Sequence, residues 1–247
     1  MRTASFHRQK SSGPVPRFSG GRQDVDAESS HARTFPNPEQ APRSLSFAMP
    51  IEKVIAHLPV IRTATHVRST LIQSSINSLK DAGHFDRYVE LLDPAHHEAA
   101  LHTLAPTWLP LEVGLAHYGA CDALKLDSFQ LREIGERVGD RIQGTFLKTL
   151  TRGVRAVGIT PWTLLNHFDR LWARLFQGGS VELTRKGPKD VTIEIRGAVI
   201  PRFEYFRVGF CGVVRNGFKF VGVANPYVNI VQWSSAKDEF SMHAAWV

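Results

Sequence analysis

The sequence predicts an α+β fold: an N-terminal helical bundle followed by a β-hairpin, a helix and C-terminal strands forming a small antiparallel sheet. Three observations predict it. Apolar residues recur at steps of three and four from Val67 to Phe176. The period then switches to two from Val181 to Ile195, and again from Phe240 to Trp246. Between those two stretches, Pro201 to Val221 returns to helical spacing. Helices and strands segregated in this way pack as helices on one face of an antiparallel sheet.

The elements follow in order. Val54, Ile55, Leu58, Val60 and Ile61 form a short lead-in. Leu71, Ile72, Ser75, Ile76 and Leu79 mark a helix over about Val67–Lys80, closed by Gly83. Phe85–Leu92 reads as a second helix, stopped by Asp93-Pro94. Pro94 suits the first turn of a third, which runs to about Leu104. A fourth spans roughly Leu111–Lys125. Ser128 caps a fifth, with the stripe Leu131, Ile134, Val138, Ile142 and Phe146. Gly135 and Gly139 lie beside that stripe. Each costs about 1 kcal/mol against Ala in a helix, so their presence points to a neighbouring helix at close range. Thr160-Pro161 opens a single helix carrying Leu164, Leu165, Phe168, Leu171, Trp172, Leu175 and Phe176, stopped by Gly178-Gly179. Val181 and Leu183 then pair with Val191, Ile193 and Ile195 across the turn Arg185–Asp190. Pro201 starts the next helix, Asn225-Pro226 makes a turn, and Val228, Ile230 and Gln232 begin the strand before the last one.

Composition narrows the function classes. The chain has 247 residues, 43% of them apolar, and a formal net charge of +7. No apolar run approaches the roughly 20 residues needed to span a bilayer, so the chain is read as not transmembrane. Two Cys exclude a disulfide scaffold. Residues 1–50 carry seven basic and four acidic residues, six of the 14 Pro and few aliphatics. That segment reads as a disordered basic tail, and 51–247 as one α+β domain. The tail has no apolar core of a secretory signal, and Asp24, Asp26 and Glu28 speak against a transit peptide. Met49 is an alternative start to Met1. The expected location is cytoplasmic. Net charge alone makes no case for nucleic acid, and none is expected as a partner.

No catalytic motif is present. Gly-x-Ser-x-Gly and Gly-x-x-x-x-Gly-Lys-Ser/Thr are both absent from the sequence. His96, His97 and His102 share a short helix without zinc spacing, so no metal site is assigned. Arg185, Lys186 and Lys189 read as a solvated hairpin tip, and Cys121 and Cys211 as buried small hydrophobes. His117 and His167 are the two imidazoles placed near apolar faces, where one neutral ring is what haem ligation needs.

Thr149–Arg155, Pro161–Trp172, Phe176–Gly179 and Gly212–Phe218, with the closing Trp246, look like the myxobacterial paralogous family of unknown function. Val67–Leu71 resembles that family's opening helix. The family is in turn similar to a wider fold. That fold includes haem-nitric-oxide sensors, four-vinyl-reductase ligand sensors and a vesicle-tethering subunit that holds an acyl chain. The resemblance implies a non-enzymatic sensory domain that takes a small apolar or acyl ligand between helices and sheet. Phe168, Trp172, Phe176, Phe206 and Phe210 would line the pocket, with Gly209, Gly212 and Gly217 leaving space beside them. Arg152, Arg155 and Arg207 would anchor an anionic head. Two alternatives accompany it: a scaffold that forms a homodimer or binds a signalling partner protein, and a haem gas sensor using His117 or His167. The haem sensors' Tyr-x-Ser-x-Arg element is matched by neither Tyr205-Phe206-Arg207 nor Tyr227-Val228-Asn229.

Overall fold

The computed structural model describes residues 53–55, 63–104, 106–154 and 160–247. The reading of residues 1–50 as a tail lies outside them. In chain order the elements are β1 (Lys53–Ile55), β2 (His66–Arg68), α1 (Ser69–Asp81), α2 (Phe85–Leu91), a 3₁₀ turn at Pro94–His96 and α3 (His97–Leu101). Next come β3 (Trp108–Pro110), α4 (Leu111–Ala123), α5 (Ser128–Val154), α6 (Pro161–Leu165), α7 (Phe168–Leu175) and β4 (Phe176–Gln177). The chain closes with β5 (Ser180–Gly187), β6 (Asp190–Arg196), a 3₁₀ turn at Ile200–Arg202, α8 (Glu204–Phe220), β7 (Tyr227–Ser234) and β8 (Glu239–Ala245). The fold is α+β, as the sequence predicts.

The main sheet is antiparallel with strand order β1-β5-β6-β8-β7. Its inner face is the alternating set: Val181, Leu183, Val191, Ile193, Ile195, Phe240, Met242 and Ala244 are all buried. Strict alternation fixes this register, because a slip of one residue would turn the whole set to solvent. In β7 a bulge between Ile230 and Gln232 breaks the alternation. Before it Val228 is buried, while Ile230, opposite Met242 in the ladder, is exposed on this edge strand. Arg185 is less solvated than a free hairpin tip: its guanidinium stacks on the Trp162 ring at 4.6 Å.

A second antiparallel sheet, β3-β2-β4, has strands of two or three residues. It clamps the start of α1 to the end of α7, pairing Val67 with Phe176 and with Leu109. Gly178 and Gly179 both take positive φ, 94° and 69°, and turn the chain from β4 into β5.

The helix expected over Thr160–Phe176 is two helices. Thr160 and Thr163 form a reciprocal capping box at its start, as the sequence suggests. At His167 the backbone tightens to an i→i−3 bond onto Leu164, and α7 restarts beyond it. Phe176 leaves the helix for β4. The helix expected from Pro201 begins at Glu204 instead, because Asp122 at the end of α4 supplies its cap. The Asp122 carboxylate accepts from Glu204 N at 3.0 Å and Tyr205 N at 2.6 Å.

The longest helix contact joins α5 and α8. A Cβ on Gly135 would stand 2.0 Å from the Gly209 carbonyl oxygen, and one on Gly212 2.4 Å from the Arg132 oxygen. The two backbones therefore touch, which is what Gly135 was read to mean. The rim of this seam is ionic, with Lys219 Nζ 2.6 Å from Glu136 and Asn216 donating to Asp140 at 2.7 Å.

Candidate functional site

Five residues expected to line a pocket do come together. Trp172 stacks on Phe176 with centroids 4.2 Å apart, and Phe206 on Phe210 at 5.2 Å. Phe168 meets Phe210 edge-on at 6.2 Å. The cluster bridges α7 and α8 and is packed against itself. Beside it lie two small voids. One of about 30 Å³ sits among α1, α4, α5 and α8, and one of about 10 Å³ between α6–α7 and α8. A drug-sized ligand needs a few hundred Å³, whereas a water needs about 10–15 Å³. Voids of this size have room for a water and not for such a ligand. The room expected beside Gly212 is filled by the α5 backbone, and Gly209 borders only the 30 Å³ void.

The polar anchors separate. Arg152 lies in the last turn of α5, and Arg155 lies outside the described residues. Arg207 faces away from the aromatic cluster. It donates to the carbonyls of Pro201 and Arg202 at 2.8 and 2.7 Å, and its guanidinium lies 4.1 Å over the Trp233 ring.

His117 is fully buried and bonded at both nitrogens. Nδ1 meets Tyr88 Oη at 2.8 Å, and Nε2 meets Ser75 Oγ at 3.0 Å. Ser75 Oγ continues to Tyr205 Oη at 2.7 Å. This chain ties α2, α4, α1 and α8 together inside the apolar core. Burial lowers the His117 pKa from 6.5 to about 3, so the ring is neutral at pH 7. The same burial pushes the Tyr88 and Tyr205 hydroxyls and the Cys121 thiol upward. Burial also raises the Cys211 thiol to about 12, so neither Cys is a nucleophile at neutral pH. Ser75 and Tyr205 border the 30 Å³ void.

His167 Nδ1 is buried with no hydrogen-bond partner. It is the open imidazole nitrogen that an axial haem ligand would need. The space around it does not fit the group. The void lined by its chain neighbours Leu164, Leu165 and Phe168 is about 10 Å³, and the aromatic cluster fills the space between α7 and α8. His117 does not fit either, since both of its nitrogens are engaged.

The large concavity is elsewhere. A groove of about 590 Å³ runs between α1 and α7, with α5 at one end and β3 at the other. Leu171 and Leu175 form its apolar wall, while Gln73, Ser74 and Asn77 form the opposite one. Arg68, Arg141 and Arg174 also line it, and among the described residues no carboxylate does. Arg68 lies 4.5 Å over the Trp108 ring. Arg141 bonds Ser78 Oγ at 2.9 Å and pairs with Asp81 just outside. Sequence reading missed this site. Its residues come from five elements spread over more than a hundred positions, and no local spacing signals them.

No family model and no curated protein matches the chain. Solved structures do. The Fe(II) unliganded H-NOX protein from K. algicida is 8% identical, with a TM-score of 0.53 over 73% of this chain and 96% of that one. A point mutant of it gives 0.56 and 9% identity over the same shares. At such identity the likeness establishes the fold. It agrees with the wider fold that the resemblance implies. No helix among the described residues is long and apolar enough to cross a membrane.

Proposed function

We propose that the chain is a non-enzymatic ligand-binding domain of a cytoplasmic sensory or regulatory protein. We place it in the myxobacterial paralogous family that its second half resembles. One observation carries the reading: a ligand-sized groove with an arginine-rich lining, on an H-NOX-like fold. The closed aromatic cluster then serves as the rigid floor behind α7, and the ligand sits on the α1 side. Native mass spectrometry of the gently purified protein tests it. A small molecule retained by the wild type and lost on filling the groove supports the reading. A chain that binds nothing from a total lipid and metabolite extract ends it.

Haem gas sensing is the second reading, and it has only the open His167 Nδ1 in its favour, since the space beside that nitrogen does not fit the group. It requires the Phe168–Trp172–Phe210 cluster to part. A Soret band after reconstitution that His167→Ala abolishes would establish it. The scaffold reading, dimerisation through exposed helices, draws on Phe129 of α5 and Phe220 of α8, and Tyr227, Val231 and Trp233 are exposed on β7 as well. A monomer on gel filtration counts against the homodimer form of that reading.

A further inference from the structure

Four of the eight large hydrophobic side chains exposed among the described residues lie on one strand: Tyr227, Ile230, Val231 and Trp233 of β7. β7 is an edge of the main sheet, paired with β8 on one side only. Among the described residues, no backbone hydrogen bond runs from Tyr227–Ser234 to any element other than β8. The cations that reach the strand hold side chains: Arg132 donates to Asn229 Oδ1 at 2.8 Å, and Arg207 lies over the Trp233 ring. The two edges of the sheet differ. β1, at the other edge, has three residues, one of them Lys53, and a short charged edge resists pairing. β7 has eight residues with no charge and no proline. A sheet with one blunted edge and one free edge pairs once and closes, and does not grow into a filament.

We propose that β7 is a dimerisation edge whose partner is β7 of a second copy of this chain, paired antiparallel about a two-fold axis. This is independent of the groove between α1 and α7. The strand is complementary to itself when reversed. Val228 and Trp233 stand opposite Ala244 and Phe240, on the buried face of the sheet. Asn229 and Gln232 stand opposite His243 and Ser241, on the other face. The bulge between Ile230 and Gln232 supplies the extra residue that makes this possible, because without it positions 228 and 233 would face opposite sides. An antiparallel pair centred on the bulge sets Val228 against Trp233 of the second copy, Asn229 against Gln232, and Ile230 against Val231. Apolar then meets apolar and amide meets amide, each on its own face. A foreign strand would have to match the offset of the bulge, whereas a second copy carries it by symmetry. Charge agrees with the same arrangement. Lys237 and Asp238 lie in the turn after β7, and antiparallel pairing carries the two turns to opposite ends of the seam, leaving two uncharged strands to meet along it.

The test uses the full chain. Sedimentation equilibrium is expected to give twice the mass of the chain at about 10 µM. Val231 is 59% exposed, so Val231→Lys should leave the fold intact, as matching near-ultraviolet circular dichroism will show. It should weaken association about 100-fold or more, because the ammonium group of each copy enters the pairing edge. The register is read with thiols. Cys121 and Cys211 are both buried, so introduced thiols react selectively. Chains carrying Asn229→Cys and chains carrying Gln232→Cys, mixed and oxidised, should form a disulfide-linked dimer, since residues opposite in an antiparallel pair have Cα atoms about 5 Å apart. Neither variant alone should link efficiently, because identical positions are offset by about 10 Å along the seam. A wild-type chain that stays monomeric up to about 100 µM overturns the inference and leaves the edge to a strand of another protein. A dimer that Val231→Lys leaves intact overturns it as well. So does linkage of Asn229→Cys to itself as readily as to Gln232→Cys.

Discussion

Two helix pairs in this molecule meet in opposite ways. Along α5 and α8 the backbones touch, because Gly135 and Gly212 carry no Cβ. α1 and α7 make no such approach, and a groove of about 590 Å³ opens between them. Glycine-rich helices suggest empty space when read along a sequence. Here glycine removes space, and the ligand-sized opening is lined by Leu, Gln, Asn and Arg. The wall shared by the two regions is α1. Ser75 faces the inner side of that wall, toward His117 and the seam, and its neighbour Ser74 faces the groove.

The sharpest way to break the contrast is to add one methyl group to the seam. In an exposed helix, Gly→Ala gains about 1 kcal/mol. Gly135→Ala is expected to do the reverse and cost about 3 kcal/mol or more, since its Cβ would collide with the Gly209 carbonyl. Chemical denaturation reads this directly, and a neutral or stabilised variant would refute the close approach. Acid comes next. The folded pKa of His117 is depressed to about 3 while the unfolded ring titrates near 6.5. Between those values the unfolded chain binds the extra proton, so stability falls as pH drops below 6.5, by about 1.4 kcal/mol per unit. His117→Gln should flatten that part of the stability curve relative to wild type.

Ser75→Ala removes the link between His117 and Tyr205 from the inner side of α1. It leaves two buried polar atoms without that partner and should cost about 2 kcal/mol. A loss no larger than that of Ser74→Ala, measured the same way, would show that the chain contributes nothing special. The smallest effect is expected on the outer side. Ala173 is exposed in the groove, so Ala173→Phe should change stability by less than about 0.5 kcal/mol. It should nonetheless block the ligand by occupying its volume. A methyl group that unfolds one helix pair and a phenyl group that leaves the other intact would express the comparison in one experiment.

Much of the scaffold was legible because period is a local property. The hairpin from Val181 to Ile195, the stripe on α5 and the meaning of Gly135 all follow from residues a few positions apart. The three-stranded sheet did not show, since strands of two or three residues have no period. The late start of α8 was hidden as well, because its cap is Asp122 on a different helix. The buried hydrogen-bond chain left a faint trace. Ser75 sits within the apolar stripe of α1, where a hydroxyl needs a partner, but nothing local names His117. The aromatic residues were correctly grouped, yet their packing density is a tertiary property, and so the pocket expected among them is closed. The groove draws its lining from residues as far apart in sequence as Arg68 and Arg174, which only the folded chain brings together.

A neutral imidazole carries a single N–H, and that proton gives the Tyr88–His117–Ser75–Tyr205 chain a direction. With the proton on Nδ1, the ring donates to Tyr88 and accepts from Ser75, which in turn accepts from Tyr205. With the proton on Nε2, a fully reversed chain has Tyr88 donating to the ring, the ring to Ser75 and Ser75 to Tyr205. Tyr205 borders the small void. In the first polarity its hydroxyl proton is spent inside the chain, and only lone pairs remain for a guest. In the second the proton is turned out of the chain, to the Cys121 sulfur or to a guest. The void is thus an acceptor or a donor toward whatever enters it, according to which nitrogen of a histidine three links away holds one hydrogen.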